Sequence, residues 1–153
     1  MKTFEQVLAE HPFFEGLAEK YFFMLAEHAT FVTYETDQFI FHQGDEADRF
    51  YLINEGKIAL EVVTLSHGSM VIQTLGPNEV LGWSWLFPPY RWHFDARASE
   101  PTKAVALDAA WLRQKCKEEP ELGHEVMERI ARLLVQRLQA TRLQLLDIYG
   151  IHF

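Results

Sequence analysis

The residues best equipped for chemistry in this chain sit between Gly82 and Asp95, in the run Gly82-Trp83-Ser84-Trp85-Leu86-Phe87-Pro88-Pro89-Tyr90-Arg91-Trp92-His93-Phe94-Asp95. Six aromatic rings fall in the twelve positions after the glycine, among them three of the chain's four tryptophans. Pro88 and Pro89 lack the amide hydrogens that a ladder needs, so the run predicts a compact loop with one short helical turn and no regular strand. A glycine at such a turn admits close backbone approach, and the N–H groups that follow, with Arg91 nearby, form an anion seat. Flat rings add stacking. The chemistry on offer is recognition of a planar or partly apolar molecule with an acidic group, either nucleotide-like or an aromatic acid. The candidate ligand-binding residues are Gly82, Trp83, Ser84, Trp85, Tyr90, Arg91, Trp92 and His93, with Arg91 and His93 meeting the acid. In a second reading the same rings plug the interior of the domain.

No other constellation competes for a reaction. There is no Gly-x-Ser-x-Gly elbow and no cysteine and histidine with a third partner, so no catalytic residue is assigned and an enzyme is not expected. Seven histidines, at 11, 28, 42, 67, 93, 124 and 152, are scattered, and no His-x-His pair precedes a glutamate, so no metal and no cofactor is expected. The single cysteine, Cys116, lies between Lys115 and Lys117 on a helical segment, where a packed thiol is the ordinary outcome. It also excludes an internal disulfide, a thiolate zinc site and a cysteine-ligated iron–sulfur cluster. His93, Asp95 and Arg97 alternate and so share one strand face. Gly44, Gly56 and Gly68 read as turn residues first.

The elements that must hold this segment show in the hydrophobic period. Phe4, Val7 and Leu8, then Phe14, Leu17, Tyr21, Met24 and Leu25 recur at three and four, broken at His11-Pro12, which predicts two short helices in 1–30. From 31 to 108 the period is two, with strands near Phe31–Glu35, Gln38–His42, Phe50–Asn54, Lys57–Thr64, Ser69–Leu75, His93–Ser99 and Lys103–Asp108. Gly44-Asp45, Asn54-Glu55-Gly56, His67-Gly68 and Gly76-Pro77-Asn78 punctuate them. No helical pattern lies between these strands to make crossovers, so a sandwich or barrel follows. From 109 to 153 the helical period returns, as a helix over Ala109–Glu118 and a long one from Pro120 to Gly150.

The long helix carries Met127, Ala131, Leu134, Leu138, Thr141, Leu145 and Ile148 at alternating spacings of four and three, a heptad seam. Val126, Ile130 and Leu133 form a second stripe beside it. One stripe can serve the strands, which leaves the seam through Met127, Ala131, Leu134, Leu138, Thr141 and Leu145 to meet an identical helix across a two-fold axis. A homodimer is expected there. Arg129, Arg132, Arg137 and Arg142 are balanced by Glu121, Glu125, Glu128 and Asp147, which reads as a solvated charged face.

Composition sets the outer bounds. The 153 residues, 48% hydrophobic and 24% charged, describe one globular domain that can bury ~70% of its unfolded surface without cross-links. Fourteen Lys and Arg against 22 Asp and Glu give a net charge of -8, which disfavours phosphate backbones and anionic lipid. No signal-peptide pattern opens the chain and no stretch of 18 apolar residues occurs, so a cytoplasmic location without membrane contact is expected.

With these elements in place, Phe41-His42-Gln43-Gly44-Asp45-Glu46-Ala47-Asp48-Arg49-Phe50-Tyr51-Leu52-Ile53, followed by Glu55-Gly56-Lys57-Ile58, resembles the glycine-turn signature of the cyclic-nucleotide-binding domain in Crp/Fnr-type bacterial regulators. The resemblance implies N-terminal helices, an eight-stranded jelly-roll, a helical insertion beginning near Gly82 and a long C-terminal helix. It also implies a regulatory role in signal transduction. In that family the insertion is a phosphate-binding cassette: backbone N–H groups and an Arg hold the cyclic phosphate, a Glu takes the ribose hydroxyl, and the ligand repositions the C-terminal helix. Gly82 matches the cassette glycine. The position of the Glu holds Trp83, and the Arg of the Arg-Ser or Arg-Thr pair, counted back from Ala96-Arg97-Ala98, falls on Trp92, with Arg91 one residue off. Each lost polar anchor costs ~1–3 kcal/mol, so cyclic AMP is not expected to bind in the usual way. Family activators carry a DNA-binding helix-turn-helix after the long helix; this chain stops at Phe153, so direct DNA binding is not expected. The expectation is a ligand-sensing regulatory module with an aromatic pocket, or alternatively an interaction module that has lost its ligand and docks on an enzyme or regulator.

Overall fold

A computed structural model describes residues 2–150. They divide into two compact units, one ending at Gln114 and the other beginning at Lys115.

The first unit opens with α1 (Phe4–Glu10), which Thr3 starts through a reciprocal capping box with Gln6. His11 ends it, and a 3-10 turn over Pro12–Phe14 leads to α2 (Glu19–Glu27). Leu8, Phe14, Tyr21, Phe22 and Leu25 are buried, as the three-and-four spacing requires. The strands are β1 (Ala29–Tyr34), β2 (Phe39–Phe41), β3 (Arg49–Glu55), β4 (Ile58–Thr64), β5 (Gly68–Leu75), β6 (Val80–Leu81), β7 (Asp95–Ala98) and β8 (Thr102–Asp108). They form two antiparallel four-stranded sheets, ordered β1-β8-β3-β6 and β2-β7-β4-β5, a jelly-roll flanked by helices. The seven strands legible in the sequence are all present. The eighth, β6, has only two residues, too few for a period, and is defined by pairing: Tyr51 faces Leu81 and Leu52 faces Val80.

Non-adjacent strands are brought together tightly. At the β3–β4 turn Gly56 adopts φ +96°, and a Cβ there would lie 2.4 Å from the Pro101 carbonyl oxygen and 2.4 Å from Thr102 Oγ1. Only glycine fits. Buried Ile58, Leu60, Ala96, Ala98, Leu52, Leu81, Val105 and Leu107 form the centre, where small alanines on β7 sit opposite larger residues on β4, Ile58 facing Ala98 and Leu60 facing Ala96.

After β8 comes α3 (Ala109–Glu118), whose first turn is capped by Asp108 accepting from the Trp111 amide at 3.1 Å. In the second unit α4 (Pro120–Ile148) starts with proline at its first turn, where the missing donor costs nothing. Leu122, Val126 and Ile130 are buried, whereas the seam residues Met127, Leu138 and Leu145 are 45–51% exposed. Thr141 donates its hydroxyl to the Arg137 carbonyl within the helix. Arg129 pairs with Glu125 at 2.5 Å and Arg132 with Glu128, both at i,i+4, so these two arginines of the face are bound to acidic neighbours. Among the described residues no helix is long and apolar enough to cross a membrane. His152 lies outside them.

Candidate functional site

The segment from Gly82 to Phe94 leaves β6, turns twice and returns as β7. Its first turn is closed by the Leu86 amide donating to the Trp83 carbonyl at 3.0 Å, its second by the Tyr90 amide donating to the Phe87 carbonyl at 2.9 Å. Between them stands a cis Pro88–Pro89 bond, and Tyr90 sits at φ +58°. The compact, strand-free loop is the form the prolines require, but it is built of two turns and contains no helix.

Beyond Tyr90 the chain is zipped to the glycine turn of residues 44–47. The Gly44 amide donates to the Trp92 carbonyl (2.8 Å), the Trp92 amide to the Asp45 carbonyl (3.0 Å) and the Ala47 amide to the Tyr90 carbonyl (2.7 Å). Arg91 forms an antiparallel bridge with Glu46. Strand-like pairing imposes alternation. Trp92, Phe94, Ala96 and Ala98 point inward and are buried; Arg91 and His93 point outward and are exposed. The Arg91 guanidinium reaches back to the Gly44 carbonyl at 3.5 Å.

Inside, Trp92 fills the space beside Gly82. A Cβ on Gly82 would lie 2.2 Å from Trp92 Cζ3 and 2.8 Å from Cη2. Gly82 has φ +83°, so both conformation and space demand glycine. The Trp92 ring is 2% exposed, lies parallel to Phe41 with centroids 4.0 Å apart, and meets Phe94 at 6.3 Å. Trp85 is fully buried against Phe50 (4.9 Å), which in turn meets Phe13 edge-on at 5.0 Å. Its indole N–H has no protein acceptor among the described residues, a group whose desolvation costs ~1–3 kcal/mol. Ser84 is buried, Trp83 and Tyr90 are half-buried. The eight singled-out residues therefore separate into an inward set, Gly82, Ser84, Trp85 and Trp92, and an outer rim, Trp83, Tyr90, Arg91 and His93.

Sequence reasoning missed one residue that organises the loop. Arg113, on α3, donates to the Trp85 carbonyl at 2.5 Å, and its guanidinium carbon lies 4.0 Å from the centroid of the Tyr90 ring. One side chain thus grips both shoulders of the loop, through a charge-assisted hydrogen bond and a cation–π contact. Nothing in the helical pattern of 109–118 tells Arg113 from any solvated arginine. Phe41 and Phe94, inside quoted motifs, were not tied to the site because their ring contacts cross between strands.

The outward row of polar residues divides. Asp95 accepts from the Gln43 amide at 2.7 Å and lies 3.7 Å from His42 Nδ1. Arg97 instead holds Glu61 and Asp37, each at 2.6 Å. Glu61 is 6% exposed; burial alone would raise its carboxyl, but hydrogen bonds from Arg97 and Ser69 prevail and hold it below the ordinary range. Burial pushes the Cys116 thiol up to about 11, which keeps it protonated and unreactive at neutral pH. Among the described residues no three metal-ligating side chains converge.

Known proteins share the fold. The model of the cyclic nucleotide-binding domain family matches residues 31–119, from β1 through the loop to the end of α3. The chain is 24% identical over 144 residues to the CRP-like cAMP-activated global transcriptional regulator of Mycobacterium tuberculosis, covering 94% of this chain and 62% of the relative. It is 28% identical over 134 residues to the cyclic AMP receptor protein of Thermus thermophilus, covering 88% of this chain and 60% of that protein. The chain thus spans about three fifths of the length of these curated relatives, and neither is named for a catalytic activity. A crystal structure from Geobacter metallireducens, whose assigned name refers to cyclic nucleotide binding, superposes with a TM-score of 0.80 at 26% identity over 90% of this chain and 99% of that one. With two four-stranded sheets, a loop opening at Gly82 and a long last helix all in the order of that family, the chain belongs to the cyclic nucleotide-binding domain family.

Proposed function

We propose that this chain is a regulatory module of the Crp-like type in which the nucleotide seat is filled from within, so that cyclic AMP does not lodge there in the family's usual pose. The supporting observation is the Trp92 ring, 2% exposed and 2.2 Å from the Cβ position of Gly82. By the family resemblance, Trp92 stands where the phosphate-binding Arg belongs and Trp83 where the ribose-binding Glu belongs. An apolar ring in each place removes the charge and the acceptor together. Regulation then passes through the surface of the module to a partner enzyme or regulator, with two copies joined along the exposed α4 seam. Titration calorimetry with cyclic AMP tests the reading: no heat is expected up to millimolar ligand, and low-micromolar binding overturns it. For the seam, Leu138→Asp should lower the sedimenting mass, and an unchanged monomeric mass in parent and variant sinks the dimer.

The outer rim favours a second reading. Half-buried Trp83 and Tyr90 flank exposed Arg91 and His93, a surface that suits a planar acid resting outside the seat. A thermal-shift panel of nucleotides and aromatic acids separates the two, since a ligand at 100 times its dissociation constant stabilises by ~2.7 kcal/mol.

A further inference from the structure

The half-buried guanidinium of Arg113 is a cation without a carboxylate. Arg97, Arg129 and Arg132 each hold an acidic side chain, whereas the partners of Arg113 among the described residues are the Trp85 carbonyl at 2.5 Å and the face of the Tyr90 ring at 4.0 Å. A charge taken partly out of water is ordinarily paired. The neighbouring sequence offers nothing to pair it with: positions 109–117 of α3 and positions 82–94 of the loop contain no Asp or Glu, in a chain that has 22. The bond to Trp85 comes from Nη1, and of the five N–H donors of a guanidinium the others have no protein acceptor among the described residues.

We propose that Arg113 is the acid-binding residue of the outer rim and selects a planar aromatic monocarboxylate; this rests on the reading of the rim as the seat of a planar acid. The rim's other arginine is poorly placed for the task. Arg91 is exposed and stands directly opposite Glu46 across their bridge, so the two side chains share one face, and Asp45 and Asp48 lie within two residues of Glu46. An arriving carboxylate is repelled there, and an exposed ion pair is worth little. At Arg113 one side of the cation is covered by Tyr90 and no fixed anion competes, so its attraction is less screened. The donors left over by the Trp85 carbonyl can take a carboxylate in a two-pronged arrangement, and the grip on the loop is kept. Half-buried Trp83 and Tyr90, with Phe87 39% exposed, give the same loop an aromatic outer surface for the ligand's ring. A net charge of -8 repels a phosphate dianion more strongly than a monocarboxylate.

Titration of the 15N-labelled chain with indole-3-carboxylate and with its neutral counterpart indole-3-carboxamide tests the assignment, followed through the indole N–H signals of the four tryptophans. The proteins compared are the parent, Arg113→Gln, Arg113→Lys and Arg91→Gln. We expect the parent to bind the acid roughly tenfold more tightly than the amide, as a charge-assisted pair allows. Arg113→Gln keeps an N–H for the Trp85 carbonyl but no charge; it should abolish the preference for the acid and leave the amide's affinity unchanged. Arg113→Lys, a charge without the fork, should restore part of the preference, and Arg91→Gln should retain it in full. Equal weakening of acid and amide in Arg113→Gln leaves the preference intact, marks a purely structural role and overturns the assignment. A preference lost in Arg91→Gln and kept in Arg113→Gln also overturns it, while the rim remains the seat of an acid. No response of the parent to either compound removes the rim reading itself, and this assignment with it.

Discussion

The indole of Trp92 lies flat on the ring of Phe41, centroids 4.0 Å apart and planes within 2° of parallel. Phe41 ends β2, and Trp92 arrives from the loop that feeds β7. The pair ties the end of β2 to the loop of residues 82–94 where both face the interior, and stacked aromatic pairs contribute ~0.5–1.5 kcal/mol beyond the area they bury.

Removing the ring leaves a hole. Trp92→Ala should destabilise by ~3–5 kcal/mol, the range for large aromatic truncations in a core, whereas Trp92→Phe, which keeps the stack, should cost clearly less. Urea denaturation followed by circular dichroism measures both. A loss below about 1 kcal/mol for the alanine variant would mean that the ring is not packed as described.

Gly82 and Trp92 must be coupled. Gly82→Ala drives a methyl group into the indole at 2.2 Å and forces a positive φ on alanine, a combined cost of ~2–4 kcal/mol. In a Trp92→Ala background the clash vanishes and only the backbone strain remains. The double-mutant cycle should therefore return an interaction energy of ~1–3 kcal/mol; strict additivity would contradict the contact.

Releasing the arginine grip should loosen the loop without unfolding the sheets. Arg113→Met keeps the stem but loses the bond to the Trp85 carbonyl and the charge over Tyr90. A charge-assisted hydrogen bond is worth ~1.5–3 kcal/mol, so amide exchange over 84–92 should accelerate by roughly tenfold or more while β3 and β8 stay protected. Uniform acceleration across the domain would show a general fold defect instead.

His11 makes stability depend on pH. Its ring is buried, Nδ1 accepts from the Phe13 amide at 3.2 Å, and Nε2 meets the Ile53 carbonyl at 3.2 Å, so the neutral form with a proton on Nε2 fits. Burial lowers its pKa from 6.5, outweighing the opposing backbone hydrogen bonds. The unfolded chain therefore takes up a proton before the folded one does. Stability from this group is complete above pH 6.5 and declines as pH falls from 6.5 towards the lower folded value. Melting temperatures measured from about pH 7.5 down to about pH 5.5 should show the decline, and His11→Asn, which can still accept from Phe13, should flatten that part of the profile.

How far the sequence reached depends on the range of the interaction concerned. Period two and period 3.6 are local, and they located every long element, because burial of one face fixes each within a few residues. The pair Val80–Leu81 was lost because two residues have no period and gain strand form only from Tyr51 and Leu52. The aromatic run was legible as a compact loop rather than a strand, with plug and pocket left open. Which applies to Trp92 depends on Phe41, far earlier in the chain, and on the inward parity of β7, neither of which a local reading contains. Arg113 stayed hidden for the same reason: its partners Trp85 and Tyr90 both lie well upstream, across the whole of β7 and β8.

The alternation that runs back from Ala98 through Ala96 and Phe94 to Trp92 has an evolutionary corollary. Every even-numbered side chain there faces the centre and the odd-numbered ones between them face outward, and the glycine turn locks the phase. Point mutation can exchange what stands at an inner place, but no exchange of neighbours' identities brings Arg91 indoors. A single codon lost at Trp92 would, because Arg91 then stands two residues ahead of Phe94 and inherits the inner phase. A cationic side chain in the inner place beside Gly82 is therefore one deletion away.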